Sequence, residues 1–393
     1  MSEDRLLVLN AGSSSIKFAV YPMDGESPLW RGQADGLGGN SARLHISDGK
    51  DTNDETLTLD RGDHAEALQR LLDWLDANVG HRSLRAVGHR VVHGGTRHSE
   101  PLILDADRLE ELDDLSGLAP LHQPHNLAAA RHLMQRRPDL PQVACFDTAF
   151  HRSQPWVAQQ FALPGEWQER GVLRYGFHGL SYEYIAGRLR EEDPVLARGR
   201  VVVAHLGNGA SLCGMKDGRS QATSMGFTAL DGLPMGQRCG ALDPGVVLYL
   251  IQQQGMSVEA VQDLLYHRSG LLGMSGISHD MRELLASGEA SAARAVDVFC
   301  YRAAREIASL AAALGGLDGL VFTAGIGENC APVRRAIVEY LAWLDFDLDE
   351  PAKETNAARI HSSGSRPVYV LPTDEQAVIA RHTRHLLTTN PSG

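Results

Sequence analysis

The chain has 393 residues, more than one hydrophobic core usually serves, so two domains are expected. Hydrophobic residues at 43% and charged residues at 22% are the balance of an ordinary globular protein and argue against a disordered or fibrous chain. A formal net charge of −12, with no Lys/Arg-rich run, argues against nucleic acid or an acidic membrane surface as partner.

In chain order, Leu6 to Leu9 are apolar, Asn10 to Ser15 small and polar, and Ile16 to Tyr21 again mostly apolar, which predicts strand, tight turn, strand. The apolar run after Arg5 is too short for the core of a signal peptide or a membrane span. Asp63 to Val79 has the spacing of an amphipathic helix, and His151 to Gly176, rich in Gln, Pro and Gly, predicts a hinge or crossover. Val201 to Leu206, then Gly207-Asn208-Gly209-Ala210, then Ser211 to Met215 repeats the opening pattern about half a chain later. Val258 to Leu265 predicts a further helix, and Glu375 to Leu387 a last one able to return to the first half. The simplest reading is a duplicated α/β domain. The five cysteines, Cys145, Cys213, Cys239, Cys300 and Cys330, contain no CxxC pair and cannot all pair within one chain, so they read as reduced thiols in a cytoplasmic protein.

The familiar nucleotide and hydrolase signatures GxxxxGK[ST], GxGxxG, HExxH and GxSxG are missing, so phosphate binding has to rest on other segments. In Asn10-Ala11-Gly12-Ser13-Ser14-Ser15-Ile16-Lys17, small residues let backbone amides turn toward an anion and Lys17 adds a point charge. A Gly/Ser turn of this kind is by itself usually only a hairpin, but it recurs as His205-Leu206-Gly207-Asn208-Gly209. Leu320 to Asn329 reads as a buried strand ending in Gly-x-Gly, with Pro332 near the start of a helix, which suits either a nucleotide or a close-packed turn.

Arg90, in Gly88-His89-Arg90-Val91-Val92-His93, and Arg238, in Met235-Gly236-Gln237-Arg238-Cys239-Gly240, are arginines in settings short of carboxylates. Each is either a structural ion-pair partner or a clamp for carboxylate and phosphoryl oxygens. Asp147, among Phe146 and Phe150, needs a partner if buried, and His178, in Tyr175-Gly176-Phe177-His178-Gly179, is by itself more often a core histidine. Glu375 follows a strand and opens the last helix, so it reads either as a magnesium ligand or as an acid favoured by the helix dipole. The series His89, His93 and His98, and the pair His122 and His125, have no carboxylate or cysteine at ligand spacing, which argues against zinc.

Taken together, VLNAGSSSIKF, GHRVVHGG, CFDTAFH, RYGFHG, HLGNGAS, SGLLGMSGISHDMR and FTAGIGEN closely resemble the acetate kinase family, within the acetate, propionate and butyrate kinase group, in the same order and over nearly the whole chain. The resemblance implies the duplicated two-domain α/β fold shared with sugar kinases, actin and heat-shock ATPases, with mixed sheets flanked by helices and an active site in the interdomain cleft. Residues 1–148 with the terminal helix 377–393 are expected to form the acyl-substrate and phosphate-side domain, and residues 149–376 the nucleotide-binding domain. It implies reversible, magnesium-dependent transfer of the ATP γ-phosphoryl group to acetate, giving acetyl phosphate and ADP, with Mn²⁺ as an alternative metal and a homodimeric assembly.

By position, the resemblance implies that Asn10 and Glu375 hold the metal and that Ser13 and Lys17 approach phosphate. His205, Leu206, Gly207, Asn208 and Gly209 would cradle the polyphosphate. Asp280, Met281 and Arg282, with Gly325, Ile326, Gly327, Glu328 and Asn329, would hold the adenosine end. Arg90 would bind the substrate carboxylate, Asp147 would be the active-site acid, and His178 with Arg238 would stabilise the transition state. The acyl methyl would rest on Val92, Leu121 and Phe177. A carboxylate substrate is already ionised, so Asp147 is expected to orient an arginine or a metal-bound water rather than abstract a proton.

Three positions depart from the family pattern. Ala229 replaces a usual proline in the segment expected to help line the acyl pocket, Tyr182 replaces a usual histidine, and Asp374 stands where many members have asparagine. The first predicts room for propionate; the other two are expected to touch nothing the chemistry needs. Two rival readings stay open: a propionate or butyrate kinase, and an ATP-hydrolysing conformational module of the actin or chaperone type.

Overall fold

The computed structural model describes residues 4–389 apart from 13, 40, 49–53, 81–82, 121 and 350–356. The chain divides into two compact units, Met1–Ala149 with Asp374–Gly393, and Phe150–Thr373.

The first unit is built on an eight-stranded sheet of β1 (Arg5–Ala11), β2 (Ser15–Pro22), β3 (Trp30–Asp35), β4 (Arg43–Ser47), β5 (Glu55–Thr58), β6 (Leu84–Val91), β7 (Leu102–Ile103) and β8 (Gln142–Phe146), in the order β5-β4-β3-β2-β1-β6-β8-β7. β1 is covered on both faces, with Leu6, Leu7, Val8 and Leu9 all but inaccessible, which is why its sequence is a continuous apolar run rather than an alternating one. Helix His64–Leu75 lays Ala67, Leu68, Leu71, Leu72 and Leu75 on the sheet. Asp63 caps it by accepting from Glu66 N at 2.7 Å, while the Glu66 carboxylate accepts from the amides of Asp60, Arg61 and Gly62. Helix Glu375–Thr389 returns against β6, where a Cβ at Gly88 would collide with Thr383 and Ile379.

The second unit carries β9 (Arg200–Leu206), β10 (Ala210–Lys216), β11 (Arg219–Thr223), β12 (Gly319–Thr323) and β13 (Val368–Val370), in the order β11-β10-β9-β12-β13. β9 and β10 form an antiparallel hairpin, and β9, β12 and β13 run parallel. In the first unit β1 and β2 form the same hairpin, and β1, β6 and β8 the same parallel trio. The expected duplication is therefore present as a shared five-strand core, to which the first unit adds β4, β5 and β7. Helices Gly179–Glu192 and Ala290–Leu314 pack on this second sheet. Among the described residues no helix is long and apolar enough to cross a membrane.

Candidate active site

In the first unit Asn10, Arg90 and Asp147 sit at or just beyond the carboxyl ends of the neighbouring parallel strands β1, β6 and β8, the end at which α/β sheets bind ligands. Arg90 Nε donates to Asp147 Oδ1 at 3.0 Å and a terminal nitrogen donates to Oδ2. Its other terminal nitrogen donates to Asn10 Oδ1 at 3.1 Å. Burial works against the Arg90 charge, but Asp147 and Glu375 outweigh it and push the guanidinium pKa above its ordinary value. Asp147 is 1% exposed, and this ion pair is what makes so deep a carboxylate tolerable.

A guanidinium has five N–H donors, and among the described residues three are used here, which leaves Arg90 the two that a carboxylate accepts as a fork. Buried Asn126 steadies the site, accepting from Val92 N at 3.0 Å and donating to Ala11 O at 2.5 Å. Gln123 does the same for the backbone of His93, accepting from its N and donating to its O, both at 3.0 Å. Neither amide residue stood out in the sequence; the available signal was two amide side chains at the start of a helical stretch that runs on into Leu127 and three alanines.

Glu375 is the first residue of the terminal helix, and among the described residues its nearest cation is Arg90 Nε at 3.8 Å. Asn10 and Glu375 thus both bring oxygen donors to Arg90, a donor chemistry that fits a magnesium ion retaining most of its water. Among the described residues no cluster of three or more His, Cys, Asp or Glu side chains could cage a metal. Lys17 is exposed and directly opposite Asn10 in the β1–β2 ladder. Asp374 pairs with Arg31 at 2.6 Å and caps Ala377 N. Val92 is buried in this unit, while Ser13 and Leu121 lie outside the described residues.

In the second unit a cavity of about 530 Å³ is lined by Gly207 and Asn208 from the β9–β10 turn, His279 to Arg282, and Gly325, Ile326, Asn329 and Cys330. That size suits a nucleoside. Asp280 caps the helix Met281–Ala286 and forks with Arg282, whose hydrogen bonds hold its carboxyl down at about 2. His279 and Cys330 were not among the residues expected at the nucleotide site, although each adjoins one that was.

The Gly-x-Gly segment differs from the expected turn: Ala324–Asn329 is itself a short helix. Ala324, at φ +63°, turns the chain straight out of β12, and Glu328 Oε1 secures the bend by accepting from Ala324 N at 2.8 Å and Thr373 N at 3.1 Å. Glu328 is therefore engaged with backbone, and Gly327 packs against Phe322 and Ala204 rather than lining the cavity.

His178 stands at the start of helix Gly179–Glu192 in the left-handed region, φ +57°, a conformation that costs a non-glycine residue roughly 1–2 kcal/mol and is tolerated where function demands it. Its ring stacks on His205 with centroids 4.2 Å apart. A Cβ at Gly209 would lie 3.4 Å from His178 Nε2 and 3.7 Å from a terminal nitrogen of Arg238, so these two groups converge on the glycine. Arg238 is held by donating to Ala229 O at 2.9 Å, and its loop is stitched to the turn by Gly236 N donating to Asn208 O. Leu206 is fully buried, and Phe177 is buried with its carbonyl accepting from His151. The expectation that Tyr182 touches nothing relevant is corrected: its hydroxyl is 2.6 Å from Ser211 Oγ, which is 2.8 Å from His178 Nδ1. Tyr182 is fully buried, its ring edge-on to His205 with centroids 6.3 Å apart.

Comparison with known proteins gives one answer. The family model described as "Acetokinase family" matches residues 5–381. The chain belongs to the acetokinase family. The acetokinase match runs from β1 into the terminal helix and so takes in every group from Asn10 to Glu375. Acetate kinases of Methylocella silvestris and Rhodopseudomonas palustris are 50% and 52% identical, the alignments covering 97% and 98% of this chain and 98% of each relative. Among solved structures, a propionate kinase of Francisella tularensis aligns with TM-score 0.92 at 37% identity over 96% of this chain and 98% of that one. An acetate kinase of Porphyromonas gingivalis aligns with TM-score 0.88 at 33% identity over 98% and 100%.

Proposed function

We propose that this chain catalyses reversible transfer of the terminal phosphoryl group of ATP to acetate. A carboxylate oxygen forms the new bond to the γ-phosphorus as the bond from that phosphorus to the ADP oxygen breaks, giving acetyl phosphate. The observation that carries the reading is Arg90: a cationic fork fixed by buried Asp147, with two donors left over, is a receptor for a small carboxylate. The acetate kinases among its relatives support the same choice of acceptor.

Each group then has a task. Arg90 orients the acid, and Asp147, committed to Arg90, positions it rather than acting as a base. His178 and Arg238, converging on Gly209, neutralise charge growing on the equatorial oxygens. The cavity of Gly207, Asn208, Asp280, Met281, Arg282, Gly325, Ile326 and Asn329 takes the nucleoside. Asn10 and Glu375 would hold magnesium, which when bound neutralises polyphosphate charge. The five cysteines are free thiols, which suits a reducing cytoplasm.

The deciding assay is nucleotide turnover with hydroxylamine present, across acetate, propionate and butyrate. Acetyl hydroxamate and acid-dependent ADP formation are expected; ATP hydrolysis without hydroxamate from any short acid would favour the conformational module. Propionate is expected within a hundredfold of acetate in kcat/KM, because one methylene changes binding by about 1–3 kcal/mol and Ala229 offers less bulk than a ring.

Gly209→Ala tests the convergence of His178 and Arg238. The new methyl meets only ordinary contacts, so the melting temperature should hold, yet it occupies the space where those two groups meet. A fall in kcat of about a hundredfold is expected, the effect of a misplacement on the order of 1 Å. Unchanged kcat would remove the pair from the phosphoryl site.

A homodimer is part of the same reading. Helix Pro244–Gln252, PGVVLYLIQ, buries no residue within its own chain, with Leu248 54% and Tyr249 53% exposed. Such an apolar surface is costly in water unless a second copy covers it. Light scattering should find a dimer for the native chain and a monomer for Leu248→Asp; equal masses would argue against this helix as the contact.

A further inference from the structure

We propose that Tyr182, acting through Ser211, fixes the tautomer of His178 so that its Nε2 carries the proton and faces Gly209 as a hydrogen-bond donor. This rests on the reading that His178 serves the phosphoryl group.

The assignment follows from counting donors. Tyr182 is fully buried, and among the described residues its hydroxyl has one hydrogen-bond partner, Ser211 Oγ at 2.6 Å. A buried phenol that only accepted there would leave its own proton without an acceptor, a cost of about 1–3 kcal/mol. Burial also pushes the Tyr182 phenol well above its ordinary pKa, so the proton is always present. Tyr182 therefore donates to Ser211. Ser211 is itself buried, and among the described residues its hydroxyl has just two hydrogen-bond neighbours, Tyr182 and His178 Nδ1. With Tyr182 donating, the Ser211 proton can be accepted only by Nδ1, at 2.8 Å. Nδ1 must then be the unprotonated nitrogen, and the proton of the neutral ring belongs to Nε2.

The ring has little freedom to escape this arrangement. It is stacked at 4.2 Å and 19° on His205, whose own Nδ1 is engaged by Ser181 Oγ at 2.8 Å. Ser181 in turn meets Thr373 Oγ1 at 2.8 Å, anchoring the second ring to the segment after β13. Both imidazoles thus meet a serine hydroxyl at Nδ1. On the opposite side of His178, Nε2 lies near the place a Gly209 Cβ would take, beside Arg238. Tyr182 is a positioning residue: it touches no reacting atom and sets which nitrogen of His178 donates.

Tyr182→Phe, Ser211→Ala and the double variant test this, with ¹⁵N imidazole spectra of the substrate-free protein and steady-state kinetics as readouts. The His178 signals, identified by their loss in His178→Gln, should show protonated Nε2 and bare Nδ1 in the native chain, and a shift toward protonated Nδ1 in each variant. Each single variant should lower kcat about 10- to 100-fold with little change in either KM, as expected for a wrong tautomer, and the double variant should lose no more than the worse single one. If Tyr182→Phe does not fold, Ser211→Ala and the native spectrum still decide. A native spectrum with protonated Nδ1 overturns the inference whatever the activity, as does a double variant whose losses multiply. The expected native spectrum in a chain that forms no hydroxamate would leave the tautomer standing and overturn the kinase reading instead.

Discussion

Replacing Arg90 by alanine is expected to lower kcat/KM for acetate by about a thousandfold or more, roughly 4 kcal/mol, with the KM for ATP nearly unchanged. The side chain offers the acid two charge-assisted donors from a fixed frame, and water filling the gap restores neither the charge nor the direction. Arg90→Lys should be nearly as poor, because a single ammonium cannot fork to Asp147 and still present a fork to the substrate. Arg90→Ala also removes the cation paired with Asp147, 1% exposed, so a loss of stability of about 1–3 kcal/mol is expected beside the kinetic one. The double variant Arg90→Ala/Asp147→Ala separates the two effects, since it removes the buried carboxylate as well and should recover part of the stability but none of the activity. Asp147→Asn, which keeps shape and loses charge, should fall between the native and Arg90→Ala enzymes. Acetate kinetics within tenfold of native for Arg90→Ala would end the assignment of this arginine to the acid.

The fold is legible in the sequence wherever local pattern and burial agree. Leu6 to Leu9 and Val201 to Ala204 are apolar runs too short for helices, each is soon followed by a small polar turn, and each lies in the first strand of a hairpin in its unit. The repeat of that pattern is what makes the shared five-strand core foreseeable. Arg90 and Asp147 are each conspicuous as a charge in an apolar segment, but their pairing is not, because the two lie 57 residues apart and only the β6–β8 register joins them. Ser211 is harder still: a serine in a strand is unremarkable until His178, 33 positions away, and Tyr182, 29 away, are folded onto it. Glu328 misleads in the opposite sense. An acid after Gly-x-Gly looks available to a ligand, whereas the bend at Ala324 brings two backbone amides onto it. Periodicity reports which side chains are buried, and pairing at a distance depends on register, which single residues do not encode.

Acid should unfold this protein well before its carboxylates are neutralised, and two histidines, one in each unit, are the cause. His89 on β6 and His151 after β8 are both inaccessible to water, and burial pulls each down to about 4 from an ordinary value of 6.5. In the unfolded chain both take up a proton as pH falls through about 6.5, while in the folded protein they stay neutral until about pH 4. Over that window the unfolded state binds more protons, so stability must fall as pH falls; above it both states are neutral and the two residues contribute nothing. The slope approaches 1.4 kcal/mol per pH unit for each group, and by pH 4 each has cost on the order of 3 kcal/mol, against a total stability of about 5–15 kcal/mol for a typical domain. His125 and His132, also lowered by burial, act in the same direction. Urea unfolding at pH 7, 6 and 5 should show the midpoint dropping at each step, with proton uptake on unfolding. His89→Gln should flatten the curve for the first unit and leave the second, which contains His151, as steep as before. A midpoint constant from pH 7 to pH 5 would mean that both rings take up protons in the folded protein just as they do in the unfolded chain, which full burial does not allow with only hydrogen bonds to Gln142 and to Phe177 O beside them.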